Sequence, residues 1–122
     1  MDKKYKLTEE TINVNGKTLY RIEALKDFSD VKQGEKGGYV EKEENLSQSG
    51  DCWAYDNAKI YDNAQLYDDA IVYEDAAVYG NAKVYGKADV CGNAVVHDNA
   101  KVHGDAVVCG DMVVCGNAVV YD

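Results

Sequence analysis

The chain has 122 residues with 13 basic and 22 acidic side chains, a net charge of −9. That is the size of one domain and the wrong sign for gripping duplex nucleic acid, where clustered Lys and Arg must displace counterions. Hydrophobic residues make up 46%, too many for a disordered chain, yet no apolar run approaches the roughly 18 residues of a membrane span.

The opening MDKKYKLTEE is polar and lacks a signal peptide's apolar stretch. The expected location is therefore a reducing cytoplasm, with Cys52, Cys91, Cys109 and Cys115 as free thiols. Further on, Thr11–Val14 and Thr18–Ile22 flank Asn15-Gly16. Two strand-forming runs around an Asn-Gly pair predict a hairpin with a type I′ turn. Gly34, Gly37 and Gly38 mark a bend before Tyr39-Val40.

From Gly50 onward the chain repeats every six residues. Alanine recurs at 58, 64, 70, 76, 82, 88, 94, 100, 106 and 118, with Met112 the exception. Two residues later stands an aliphatic, from Ile60 and Leu66 through Val72 to Val120. Next comes Tyr, His or Cys, then a corner pair such as Asp62-Asn63 or Gly92-Asn93. Ala and the aliphatic lie two apart, the strand period, so both point to one side. Tyr is too bulky for a narrow interior lined with Ala and Val, so it points outward. The corner pair is turn chemistry, with Asn expected to take the left-handed backbone at the second residue of the pair.

Three bends close a triangle of 18 residues, and stacked triangles form a parallel β-helix with coils about 4.8 Å apart. Residues 46–122 then give about four coils. The run VYGNAKVYGKADVCGNAVV resembles the left-handed β-helix of the hexapeptide-repeat family. The variant with Tyr after the aliphatic resembles repeat proteins of phages and prophages, as does the entry segment LYRIEALKDFSDVKQGEKGGYVEKEENLSQSG. The left hand is what the resemblance implies, because parallel crossovers are ordinarily right-handed. An open solenoid end exposes strand edges, so residues 1–45 are read as an N-terminal capping segment and 46–122 as the β-helix. The fold class is all-β.

Stacking by 18 sorts the outward residues into three faces. Face one carries Trp53, Tyr55, Ile71, Tyr73, Asp89, Cys91, Val107 and Cys109. Face two carries Lys59, Tyr61, Ala77, Tyr79, Val95, His97, Val113 and Cys115. Face three carries Gln65, Tyr67, Lys83, Tyr85, Lys101, His103, Val119 and Tyr121. Face three is polar beside its aromatics until the last coil, whereas faces one and two are largely apolar. Apolar patches of several hundred Å² mark interfaces. A homo-oligomer is expected through Trp53, Tyr55, Ile71, Tyr73, Ala77, Tyr79, Val95, Val107 and Val113, and the resemblance favours a trimer, then a dimer.

Residues 46–122 hold four basic and twelve acidic side chains. Asp56, Asp62, Asp68, Asp69, Glu74 and Asp75, with Tyr67 and Tyr85, form the expected surface for a basic host protein. The alternative is that these carboxylates keep the chain soluble and cap turns. The phage-type resemblance implies a host-directed, anti-defence role without catalysis.

The second reading is a hexapeptide-type acyltransferase, a class that the resemblance implies would use a His general base and acyl-CoA. Its weak candidates are His97 and His103, in slots that other repeats fill with Tyr. No acidic residue on the same face is expected to orient either ring. Cys91 with Cys109, and His97 with Cys115, should stack as neighbours, but two soft ligands fall short of the four in structural zinc sites. No cofactor, metal, membrane or direct duplex nucleic acid is expected.

Overall fold

The computed structural model describes residues 3–122. Strand β1 (Tyr5–Val14) pairs antiparallel with β2 (Lys17–Ala24), and β2 pairs antiparallel with β3 (Lys36–Val40). Asn15 and Gly16 both have positive φ, 52° and 83°, as a type I′ turn requires. A single 3-10 turn at Glu43–Asn45 follows. The buried Asn45 side chain accepts N–H bonds from Glu41 and Lys42 and donates to the carbonyls of Asp62 and Ala64, satisfying both ends of its amide.

From Trp53 to Val120 the chain runs as two-residue strands at six-residue intervals. They stack by 18 into three parallel sheets. One holds the strands at 53, 71, 89 and 107, a second those at 59, 77, 95 and 113, and a third those at 65, 83, 101 and 119. These are the three faces that the period defines. The second sheet continues through β3 into the hairpin, because Tyr39 and Val40 pair in parallel with Lys59 and Ile60. The ladder therefore begins before residue 46, and the stack has about five turns rather than four.

The interior is the Ala and aliphatic column. Residues Ala58, Ile60, Ala64, Leu66 and their equivalents through Val102 are 0–1% exposed. Backbone N–H groups of each coil bond to carbonyls of the next along strands and corners alike, as Lys59 to Ala76 and Asn63 to Gly80 do at 3.0 and 2.9 Å. Polar backbone is thus satisfied where short strands would otherwise leave it bare.

The corners differ from expectation. All eleven first residues of the pairs, Asp56, Asp62, Asp68, Glu74, Gly80, Gly86, Gly92, Asp98, Gly104, Gly110 and Gly116, have positive φ. The left-handed residue is the first of the pair, not the Asn that follows. This is why Gly recurs in that slot and why Asp substitutes there more readily than a branched residue.

Candidate functional site

Face one is partly closed by the chain itself. Trp53, expected at an oligomer interface, is 1% exposed. Its ring meets Phe28 at 5.1 Å and Tyr5 at 6.0 Å, both edge to face. It does occupy an outward slot, but the N-terminal segment lies over it. Tyr55 is half-buried and donates to Asp30 at 2.8 Å. Beyond this cover, Ile71 and Tyr73 are half-buried and Val107 is exposed.

Face two is covered in the same way at its start. Leu19, Ile12 and Val14 of the hairpin pack on Tyr39, Tyr61 and Tyr79. Past the hairpin, Ala77 and Val95 are half-buried and Val113 is exposed. The outward rings form ladders. Tyr61, Tyr79 and His97 stack at 4.9 and 5.0 Å, and Tyr67, Tyr85, His103 and Tyr121 at 4.9 to 5.4 Å. The coil spacing sets this distance, and the ring planes lie 2–14° from parallel.

The acidic corners have a structural task. Asp56, Asp62 and Asp68 each accept, through Oδ2, the N–H of the corner residue one coil on, at 3.1 Å. Glu74 does so from Gly92 at 2.8 Å, and Asp98 from Gly116 at 3.0 Å. Asp69 accepts from the Asp51 N–H at 3.2 Å. Asp62 is also bound to Lys17 at 2.7 Å. Asp56, Asp68, Asp69, Glu74 and Asp75 remain exposed, and Tyr67 and Tyr85 are half-buried.

His97 and His103 part company here. His97 Nδ1 lies 3.1 Å from Asp98 Oδ1. The expectation concerned acidic residues on the same face; the carboxylate here comes from the adjacent corner, Asp98. A left-handed φ of 62° turns Asp98 back toward the face, and its Oδ2 is fixed by the Gly116 N–H. That N–H bond, then His97, hold the Asp98 carboxyl below its ordinary range. The signal in the sequence was the adjacency itself, since Asp98 directly follows His97. His103 is followed by Gly104 and stacks between the rings of Tyr85 and Tyr121.

Cys91 and Cys109 stack as expected, with Cα atoms 4.5 Å apart, but they are joined as a disulfide rather than free. The parallel register alone brings the pair inside the roughly 4.4–6.8 Å that a disulfide spans. Cys52 is buried and Cys115 exposed. A groove of about 660 Å³ lies among Glu43, Glu44, Gln48, Gln65 and Tyr67, remote in sequence from His97. No helix among the described residues is long and apolar enough to cross a membrane.

Three parallel sheets wound from an 18-residue coil define a β-solenoid repeat protein. Residues 64–80 match the model of the YdcK beta solenoid repeat. Over 42 residues the chain is 45% identical to a protein of Escherichia coli (strain K12) named "Uncharacterized acetyltransferase YdcK". That alignment covers 34% of this chain and 13% of the relative, so the likeness reaches a small part of that longer protein.

Proposed function

We propose that the chain is a non-catalytic interaction protein that assembles with copies of itself through the uncovered parts of faces one and two. The carrying observation is one column. On face two, Ala77 and Val95 fill the outward slots that face three, one side further round the same coils, gives to Lys83 and Lys101. Both faces are built from the same two-residue strands, so strand-forming preference alone does not explain why these middle coils are apolar on one face and basic on the other. Ile71 and Tyr73 extend the patch on face one. A trimer is the assembly favoured by resemblance to hexapeptide-repeat proteins. The exposed carboxylates at the corners give it an acidic rim that suits a basic partner.

Light scattering with size exclusion tests this. The chain should run as an oligomer at micromolar concentration, and Val95→Glu should lower its mass. Lys83→Glu on face three should not. A monomer at high micromolar concentration, or equal effects of the two substitutions, defeats the proposal.

The second reading is acyl transfer. The His97–Asp98 pair favours it, since a carboxylate on one ring nitrogen is how a general base is oriented, and the name of the E. coli relative points the same way. Saturable binding of acetyl-CoA that His97→Ala abolishes would support it over the first reading.

A further inference from the structure

We propose that His97, Asp98 and Cys115 form a site for a borderline divalent metal ion of the zinc class. The site lies on face two beside Val95 and Val113, so in the proposed oligomer it stands at the seam between copies. One donor atom from each residue lies within 4.8 Å of the other two. They supply an imidazole nitrogen, a carboxylate oxygen and a thiolate, the donor types that zinc and its neighbours accept. Each bond to such an ion is about 2.0–2.3 Å long. Small rotations of the exposed Asp98 and Cys115 side chains close the remaining distance. Three protein donors leave a fourth position for water, the pattern of open zinc sites rather than of closed structural ones.

The scaffold fixes the backbone positions that present these donors. Cys115 sits one coil beyond His97, because the Val95–Val113 register is parallel and the His97 N–H bonds to the Val114 carbonyl at 3.0 Å. The His97 ring is clamped flat against Tyr79, 5.0 Å away and 9° from parallel. Asp98 is held from behind by the Gly116 N–H, which leaves Oδ1 toward the ring. Ligands held on a rigid element lose little freedom on binding. As the metal–sulfur bond forms, the Cys115 thiol gives its proton to solvent.

The rest of the solenoid serves as an internal control. His103 has the same place in its repeat, but Gly104 follows it and Tyr121 lies one coil on. Cys91 follows Asp89 and Val90, and its sulfur is committed to Cys109. Among the described residues, it is at His97 that the face residue, its corner and the next coil all offer ligands.

Cobalt(II) is the probe, because thiolate ligation gives it a charge-transfer absorption in the near ultraviolet. Titrating the full chain, with the Cys115 thiol confirmed free, should give that band at one ion per chain, and zinc should abolish it by displacement. Cys115→Ser should remove the band. His97→Ala and Asp98→Asn should each weaken binding by about tenfold or more. Asn keeps an acceptor oxygen for Gly116, so the corner should survive, and unchanged circular dichroism checks this. His103→Ala should leave the titration as it is. No band at saturating cobalt would overturn the proposal. So would a band that persists in Cys115→Ser, or one that His103→Ala weakens as much as His97→Ala.

Discussion

The corner residues decide whether the coil can close. At Gly92, φ is +67°, and a Cβ built there would stand 2.7 Å from the Gly110 nitrogen. Gly92→Ala therefore meets a left-handed penalty and a close approach to the Gly110 backbone, and it lacks the carboxylate with which Asp68 and its equivalents bond the next corner. The expected loss is about 1–3 kcal/mol, read as a lower midpoint in urea. Asp68 occupies the same slot with φ 60° and keeps its place by bonding the Gly86 N–H. Asp68→Asn should be nearly silent, since Asn tolerates this backbone and still accepts. The corner composition was legible in the sequence, but its handedness was not. Gly and Asp both suit turns, and only the backbone shows that the first residue, rather than the Asn after it, bears the positive φ.

The hairpin depends on side chains that reach across to the coils. Lys17 at its tip bonds Asp62 at 2.7 Å, and Arg21 lies over the Tyr39 ring at 4.3 Å while bonding Glu10 at 2.8 Å. At the chain's start, Lys4 is buried, and its Nζ donates to the Cys52 carbonyl at 2.7 Å. Burial pulls the Lys4 pKa down, against the pull of Cys52 and Asp51. For Asp62, the Lys17 ammonium first and the Gly80 N–H next hold the carboxyl below its ordinary value of 3.8. A carboxyl depressed in the folded state contributes stability above its unfolded pKa. That contribution is lost as pH falls through the folded value. The melting temperature should therefore drop on acidification below about pH 4, and Lys17→Met should shrink the drop, with Lys32→Met as control. Both side chains are partly exposed, so the difference should be small and should fade in high salt. An equal drop in both variants refutes the assignment. The Asn-Gly pair made this hairpin legible, whereas the cover it provides was not. Trp53 is buried by Tyr5 and Phe28, more than twenty residues away, and neither carries a periodic signal that links it to the coils.

Over the whole molecule, the six-residue period carries most of the information. It fixes which residues face inward, and the register by 18 follows once three sides close. In such a stack each coil contacts only its neighbours, so stability is nearly a sum of interfaces between coils. One buried charge should break two of those interfaces at once. Val84 is 0% exposed and lies between Leu66 and Val102 in the third sheet. Val84→Asp places a carboxylate there with no partner, a cost of several kcal/mol against a total stability of about 5–15 kcal/mol. Lys83, one residue earlier, points outward between Gln65 and Lys101, and Lys83→Asp should stay within about 0.5 kcal/mol of the parent. Urea unfolding followed by far-ultraviolet circular dichroism should separate the two substitutions clearly. The sole tryptophan adds a second probe, since Trp53 reports on the covered N-terminal coils. If the solenoid melts as one unit, its fluorescence and the β signal will be lost together in Val84→Asp. If coupling between coils is weak, Trp53 will stay buried after the far coils have gone. Equal midpoints for Val84→Asp and Lys83→Asp would contradict the inward and outward assignment on which the reading of all three faces stands.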